Sequence, residues 1–434
     1  MTMRRPACDG GGRGLPLPNE RADTELSGEG TMRRVYADLH IHIGRTNSGK
    51  PVKITAARDL TFENIARECA ARKGIEVAGV VDCGSPAVIA DIEALVKSGE
   101  MVELPRGGLR YRDATTVLLG CELETGEENG GVSHHVSFFP ALEQLKVYVG
   151  LLRRLVTNLD LSSQRCRVPA RQLLRMTLDT GGVFIPAHAF TPHKSVYGSC
   201  TRRLSGMFGD EVATLAGLEL GLSADSHLAD RIAELADLTF LSNSDAHSLP
   251  KIAREYNVLW LEDTSYTEVM MALRREGERR VIANYGLDPR LGKYHRTYCT
   301  ECKIISSAQP PVLTCPVCGG SAVVKGVLDR IAEVADYAEP RPPDHRPPYH
   351  YQVPLQFLPG VGAVTLGKLL NRFGTEMSVL HETDREDLVR TVGEKAANQI
   401  MRAREGTLAL LPGGGGSYGK AVTDASETQL SMGW

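Results

Sequence analysis

Asp38-Leu39-His40-Ile41-His42 and Ser244-Asp245-Ala246-His247 are the two stretches on which the reading of this chain turns. Each follows an apolar or small-residue run of strand character. In a strand, residues i and i+2 face the same side. His40 and His42 therefore present two imidazoles together, and Asp245 and His247 present a carboxylate and an imidazole. Imidazole nitrogen and carboxylate oxygen are what borderline divalent metals bind. The two pairs are far apart in sequence, so they meet only if the fold brings strand ends to one mouth. That is the arrangement of a metalloenzyme.

Further candidate ligands stand between them at the ends of apolar runs. Val117–Gly120 leads through Cys121 to Glu122, Gly79–Val81 leads to Asp82 and Cys83, and Gly182–Ala187 leads to His188. Gly131–Pro140 carries the adjacent histidines His134 and His135. Neighbouring strand residues face opposite sides, so one of these two is expected to reach a metal. His40, His42, Asp82, Glu122, His134, His188, Asp245 and His247 form the candidate active-site ligand set. A carboxylate has two oxygens and can touch two ions, which makes Glu122 the natural bridge. The expected grouping is His40, His42, Glu122 and Asp245 on one ion and Glu122, His134 and His188 on a second. Asp82, with Cys83 and His247, is left for a third ion or for support. Glu122, Asp245 and His40 are the residues expected to carry catalysis.

This order of motifs resembles the polymerase-and-histidinol-phosphatase (PHP) metal-dependent phosphoesterase superfamily over roughly residues 35–285. The resemblance implies an α/β fold, a distorted barrel of parallel strands and helices with two or three metals at the strand C-termini. Two departures concern a third metal. Val81-Asp82-Cys83 stands where that superfamily has Thr-Asp-His, and Ser48 stands where it has a further His. Two divalent ions (Zn, Mn or Mg) are therefore expected, with a third open.

Cys299-x-x-Cys302 and Cys315-x-x-Cys318 have the spacing of a zinc ribbon. Four thiolates satisfy tetrahedral zinc, and a closed four-sulfur site is structural. The other cysteines show no pairing pattern. Residues 1–31 are rich in Gly, Pro and Arg and contain no apolar core of the kind a secretory leader has. The chain reads as cytoplasmic and reduced. Nothing in it is apolar for long enough to span a bilayer.

Near the C-terminus, Leu358-Pro359-Gly360-Val361-Gly362 makes a tight turn that opens a helical run ending at Gly374. A fainter copy, Thr391-Val392-Gly393-Glu394-Lys395, opens another. Backbone N–H groups at such helix starts can hold a phosphate. The pair resembles tandem helix-hairpin-helix modules, which implies grip on a DNA backbone by Gly360, Gly362, Lys368, Gly393 and Lys395. Lys194 and Tyr197, in the loop after His188, are added as candidates for contact with phosphate or base.

The 434 residues, 42% hydrophobic and 24% charged with a formal net charge of −3, describe a soluble globular chain of two or three domains. The expected boundaries are a disordered extension (1–31), the barrel (32–287), the zinc module (288–325), a helix and stiff Pro-rich linker (326–351), the hairpin domain (352–410) and a flexible tail (411–434). In that tail, Gln429, Met432 and Trp434 resemble the short peptide by which bacterial repair proteins dock on the sliding clamp.

Barrel, zinc module and hairpins in this order resemble the endonuclease Q family across nearly all of residues 35–405. Shared strings are Ile185–Pro192, Leu218–Ser223 and Leu241–Ser248. The resemblance implies a metal-dependent DNA-repair endonuclease. It would hydrolyse the phosphodiester 5′ to deaminated bases (uracil, hypoxanthine, xanthine) or abasic sites, with damaged DNA as partner. Two other readings remain open on the residues alone. One is a PHP-type phosphatase acting on a small phosphate ester, which needs neither zinc module nor hairpins. The other is a non-catalytic DNA- or clamp-binding scaffold, which needs no complete ligand set.

Overall fold

The computed structural model describes residues 31–422. The extension at residues 1–30 and the Gln429, Met432 and Trp434 motif lie outside the described residues. The first strand, β1 (Arg33–Ile41), shows why the opening motif faces inward. Val35, Ala37 and Leu39 on one face pack outward with Val269, Met270 and Leu273 of the helix Tyr266–Arg274. The alternate face carries Asp38 and His40, both fully buried in the interior of the barrel.

β1 pairs in parallel with β2 (Val77–Val80), and β2 with β3 (Thr115–Gly126). Pairing then turns antiparallel, from β3 to β4 (Val132–Phe139) and from β4 to β5 (Val183–Pro186). The ring continues through the short parallel pair β6 (Leu218–Glu219) and β7 (Phe240–Leu241). Ala216 N–H donates to Phe184 O (3.1 Å), joining the approach to β6 to β5. Ala246 N–H donates to His40 O (3.2 Å) and His42 N–H to Ala246 O (3.1 Å), which closes the ring on β1. The other half of β1 pairs antiparallel with β8 (Tyr256–Leu261), which pairs with β9 (Arg280–Gly286). The barrel is thus mixed, not all parallel as the superfamily resemblance implied. A two-stranded turn between β3 and β4 needs antiparallel pairing, and no crossover helix separates them. β3 also runs past Glu122 to Gly126, so that carboxylate sits in mid-strand and not at an end.

The interior is polar beneath the site. Asp38 accepts backbone N–H bonds from Ser244 (3.0 Å) and Ala253 (2.9 Å), which fixes the Ser244–His247 turn against β1. Asn257 accepts from Ser242 N–H (2.9 Å) and from Asn284 (2.9 Å), and donates to Asn243 (3.0 Å).

The stiff Pro-rich linker and the Gly-rich start of the tail are both packed, the first against the barrel and the second against the approach to the zinc module. The Pro-rich stretch is fastened to the barrel: the Arg346 guanidinium bonds Asp230 (2.9 Å) and Leu238 O (2.6 Å) and lies 3.5 Å over the Phe240 ring. It runs into β10 (Tyr349–Tyr351), which pairs in parallel with β9. The Gly413–Gly416 run is no tether. It is the bend of a hairpin in which Ala409–Leu411 pairs with Lys420–Val422. Gly413 N–H donates to Arg290 O (2.7 Å) and Gly419 N–H to Leu291 O (2.9 Å). Gly415 (φ 57°) and Gly416 (φ 90°) make the bend in a region closed to most residues. The C-terminal domain is helical, with helices Ala363–Phe373, Glu376–His381, Arg385–Val392 and Glu394–Arg404. A buried Lys73–Glu376 ion pair (2.8 Å) joins it to the barrel.

Candidate metal centre and its surroundings

Strands and the loops after them gather two ligand triads at the base of one cavity of about 260 Å3, and every ligand except the buried His40 lines it. His40, His42 and Asp245 make one, and Glu122, His134 and His188 the other, with ligand atoms in each within 4.8 Å of one another. Asp245 Oδ1 lies 3.3 Å from His42 Nε2 and 3.8 Å from His40 Nε2. Glu122 stands between the triads. Its Oε1 is 3.0 Å from His134 Nδ1, 3.5 Å from His188 Nε2 and 3.5 Å from His40 Nε2, and its Oε2 is 3.6 Å from His42 Nε2. Bonds of about 2.1 Å around a four-coordinate ion give ligand–ligand edges of about 3.4 Å, so the donor sets fit a divalent metal. His40 Nε2 is buried with no hydrogen-bond partner, an orphan that a metal would satisfy.

Carboxylates behind the histidines aim them. His40 Nδ1 donates to Glu219 Oε2 (2.8 Å), and His42 Nδ1 donates to Asp82 Oδ2 (3.0 Å). Each bond leaves Nε2 as the lone pair facing the cavity. Asp82 also accepts from Ile43 N–H (2.8 Å), so it orients His42 from behind and belongs to neither triad. Cys83 is turned away: it is buried and its Sγ donates to Val80 O (3.1 Å). His247 donates from Nδ1 to Asp245 O (2.9 Å), and its ring lies 4.6 Å from that of His42 on the cavity wall. Of the adjacent histidines, His134 faces the site. His135 faces the core, stacks on Phe184 (4.9 Å) and bonds Thr125 (3.1 Å) and Ser133 (2.8 Å).

Backbone strain marks the site. His188 (φ 30°) and Asp245 (φ 45°) sit in the left-handed region, each costing on the order of 1–3 kcal/mol. Gly221 makes room: a Cβ there would stand 2.9 Å from the His188 Cβ. Burial alone raises the Glu122 carboxyl, but the charges of His134 and then Lys53 outweigh it and hold the group well below the carboxylate range. Asp245, likewise raised by burial, is brought well below by its contact with His42 and then the charge of His40. Both groups are set to be anionic, as ligands must be.

The four cysteines gather as the spacing requires. Cys299 Sγ lies 3.9 Å from Cys318 Sγ, and Cys315 Sγ lies 3.9 Å from Cys302 Sγ. A tetrahedron with Zn–S bonds of about 2.3 Å has edges of about 3.8 Å, so zinc fits. Backbone N–H groups of Cys318 and Val317 lower the Cys315 thiol to about 6, toward the thiolate that zinc binds.

The DNA candidates divide. Gly360, Gly362, Lys368, Gly393 and Lys395 are all exposed. Gly362 and Gly393 precede the helices Ala363–Phe373 and Glu394–Arg404 without a side-chain cap. Lys194 lines the metal cavity and pairs with Glu124 (3.0 Å). Tyr197 does not belong to this set. It is fully buried, stacked on Phe190 (5.2 Å), with its hydroxyl donating to Glu234 (2.6 Å). Of its loop, Thr191, His193 and Lys194 reach the cavity. Lys53, Glu219, Lys293, Tyr294 and Tyr418 also line it. Arg254 braces Tyr418 through a hydrogen bond (3.2 Å) and also bonds Ser244 O (2.6 Å) and Asp245 O (3.2 Å). Arg171 and Arg175 share Glu211.

No family model matches the chain. A lesion-specific endonuclease Q from Pyrococcus furiosus is similar at TM-score 0.77 and 32% identity, over 91% of this chain and 96% of that one. The chain belongs to the endonuclease Q family. An endonuclease Q bound to a 27-mer duplex with an abasic lesion at its active site is similar to the same degree, over 98% of its length. The Bacillus subtilis protein YqxK is 48% identical over 394 residues, 90% of this chain and 99% of that protein. As an endonuclease Q family member the chain is a hydrolase that cleaves phosphodiesters in DNA repair. Among the described residues no helix is long and apolar enough to cross a membrane.

Proposed function

We propose that this endonuclease Q family protein incises DNA on the 5′ side of deaminated bases (uracil, hypoxanthine, xanthine) and of abasic sites, and leaves a 3′ hydroxyl. The observation that carries the reading is the pair of ligand triads that meet at Glu122 beside one cavity. A phosphodiester is anionic and resists attack by water. Two divalent ions, when bound, supply Lewis acidity and neutralise charge on the phosphoryl oxygens. His40, His42 and Asp245 would hold one, and His134 and His188 the other, with Glu122 common to both. Glu219 and Asp82 keep the imidazoles in the ligating tautomer.

The exposed turns at Gly360–Gly362 and Gly393 would take backbone phosphates of the duplex. The first of these turns follows Phe357, Leu358 and Pro359, which line a second cavity of about 730 Å3. Tyr418 lines both that cavity and the metal cavity. A lesion there would be presented extruded from its stack. The test uses end-labelled duplexes carrying uracil, hypoxanthine, xanthine, an abasic site or no lesion, with Mn2+ or Mg2+. Cutting 5′ to the lesion is expected. Equal cutting of the undamaged duplex overturns the lesion reading.

For Gln429, Met432 and Trp434 the proposal is a sliding-clamp anchor. Deleting residues 429–434 should abolish retention on immobilised clamp and leave cutting of short duplexes intact; equal retention overturns it.

A further inference from the structure

Lys53 lies in the loop after β1, where Lys53 N–H donates to Ile43 O (2.9 Å) and Ser162 N–H donates to Val52 O (2.9 Å). Its side chain is 16% exposed, so most of the stem is walled in. The ammonium reaches the centre of the site. Nζ is 3.4 Å from His42 Nε2, 3.5 Å from Glu122 Oε2 and 2.6 Å from Ser163 Oγ. Ser163 in turn donates to Glu122 Oε2.

His42 Nε2 and Glu122 Oε2 are also atoms that the proposed ions would take. An ammonium and a divalent ion cannot both stand against them, because like charges at such spacing repel strongly even at the effective dielectric of a protein. The open side of Lys53 is the cavity it lines. There the non-bridging oxygens of a bound phosphodiester would offer it a partner.

We propose that Lys53 is a displaceable cation that competes with a divalent ion for His42 and Glu122 and, once displaced, contacts the scissile phosphate. The contact with phosphate rests on the phosphodiesterase reading; the competition does not. In the displaced position Lys53 supplies a fixed positive charge on the phosphate in addition to the ions. Ser163, bonded to both Lys53 and Glu122, is the pivot.

The test compares Lys53→Met, Lys53→Arg and the parent, each with the zinc module loaded. Mn2+ affinity is measured by titration without DNA, and turnover is followed on bis(p-nitrophenyl) phosphate and on an abasic duplex at saturating Mn2+. Lys53→Met should bind Mn2+ about tenfold more tightly, since a repelling charge is gone. It should turn over both diesters about 100-fold more slowly, as expected for one lost charge contact in a water-poor site. Lys53→Arg should recover part of the rate. A merely structural lysine would weaken Mn2+ binding, and that result, or no change, overturns the competition. Unchanged turnover by Lys53→Met overturns the phosphate contact. If Lys53→Met fails to fold by circular dichroism, Lys53→Gln takes its place in both measurements. A parent protein that hydrolyses the small diester but no lesion duplex defeats the lesion-endonuclease reading and leaves both Lys53 outcomes readable.

Discussion

The two ligand clusters of this molecule are built in opposite ways. The four cysteines come from one short stretch, Cys299–Cys318, on turns flanking a two-residue strand pair. They need little beyond themselves, and one buried carboxylate, Asp329, which accepts from Thr297 N–H (2.9 Å) and Val312 N–H (2.9 Å), pins the module. The barrel triads draw on strands and loops from residue 40 to residue 245. Two of their four histidines, and the loop of their aspartate, are set by partners from elsewhere in the chain. Glu219 reaches His40, Asp82 reaches His42, and Asp38 sets the loop that carries Asp245. A local cluster depends on its metal for order, whereas a dispersed one depends on the fold. The two should therefore fail differently.

The largest contrast is expected at Glu122. Glu122→Gln preserves shape but removes the charge of one triad that also stands against His40 and His42 of the other. Loss of several kcal/mol of transition-state stabilisation, at about 1.4 kcal/mol per tenfold, predicts a fall in cutting of about 10³-fold or more. The far-ultraviolet spectrum should be unchanged, because the fold makes this site and not the reverse. Cleavage within tenfold of the parent would remove Glu122 from its place.

The mirror experiment is Cys315→Ser. Structural zinc binding is folding free energy for a module of this size. Hydrogen exchange should accelerate across residues 297–325 and zinc content should fall by one ion per chain, while Mn2+ binding to the barrel stays. Retained protection across that stretch after loss of zinc would show that the module does not depend on its metal.

These contrasts also explain what was legible in the sequence. The ligands themselves were, because strand alternation places His40 beside His42, and two C-x-x-C pairs have few other uses. The supports were not. Glu219 stands in Leu218-Glu219-Leu220, and alternation says which face it takes but not that His40 waits there. Lys53 sits in a loop, where no period exists to read. Nearness to His188 in sequence points Tyr197 toward DNA. A single wide helical turn, Val196–Cys200, instead places its ring on Phe190. The Gly413–Gly416 run reads as a tether by composition, because a pairing of three residues on each side leaves too faint a trace. Mixed strand direction was missed because alternation is the same in parallel and antiparallel strands.

Glu219→Gln separates support from ligation. Supporting carboxylates are worth about 10- to 100-fold in metal affinity or activity. Mn2+ affinity should weaken within that range, and saturating Mn2+ should restore most of the cutting. If excess metal restores nothing, Glu219 does more than aim His40.

The smallest effect expected belongs to the histidine that alternation sends the other way. His135 is fully buried behind His134, and burial, with the charges of His134 and His188, lowers it to about 3. Unfolded, it titrates near 6.5. Its folded value is thus depressed, so the unfolded chain takes the proton first as pH falls. Stability from this group is complete above about pH 6.5 and is lost progressively as pH drops toward 3. His135→Phe keeps a ring against Phe184 but cannot titrate, and it leaves Thr125 and Ser133 to bond each other (3.3 Å). Loss of the buried polar contacts is expected to cost about 1–2 kcal/mol at pH 7.5. The gap to the parent should close and then reverse as pH falls from 6.5 to 4, because the parent alone carries this penalty, about 1.4 kcal/mol per pH unit over that range. Urea denaturation at matched pH values measures it. A gap that stays constant over that range would mean that His135 takes up no differential proton, and that the pH sensitivity of the barrel lies with the metal-facing histidines.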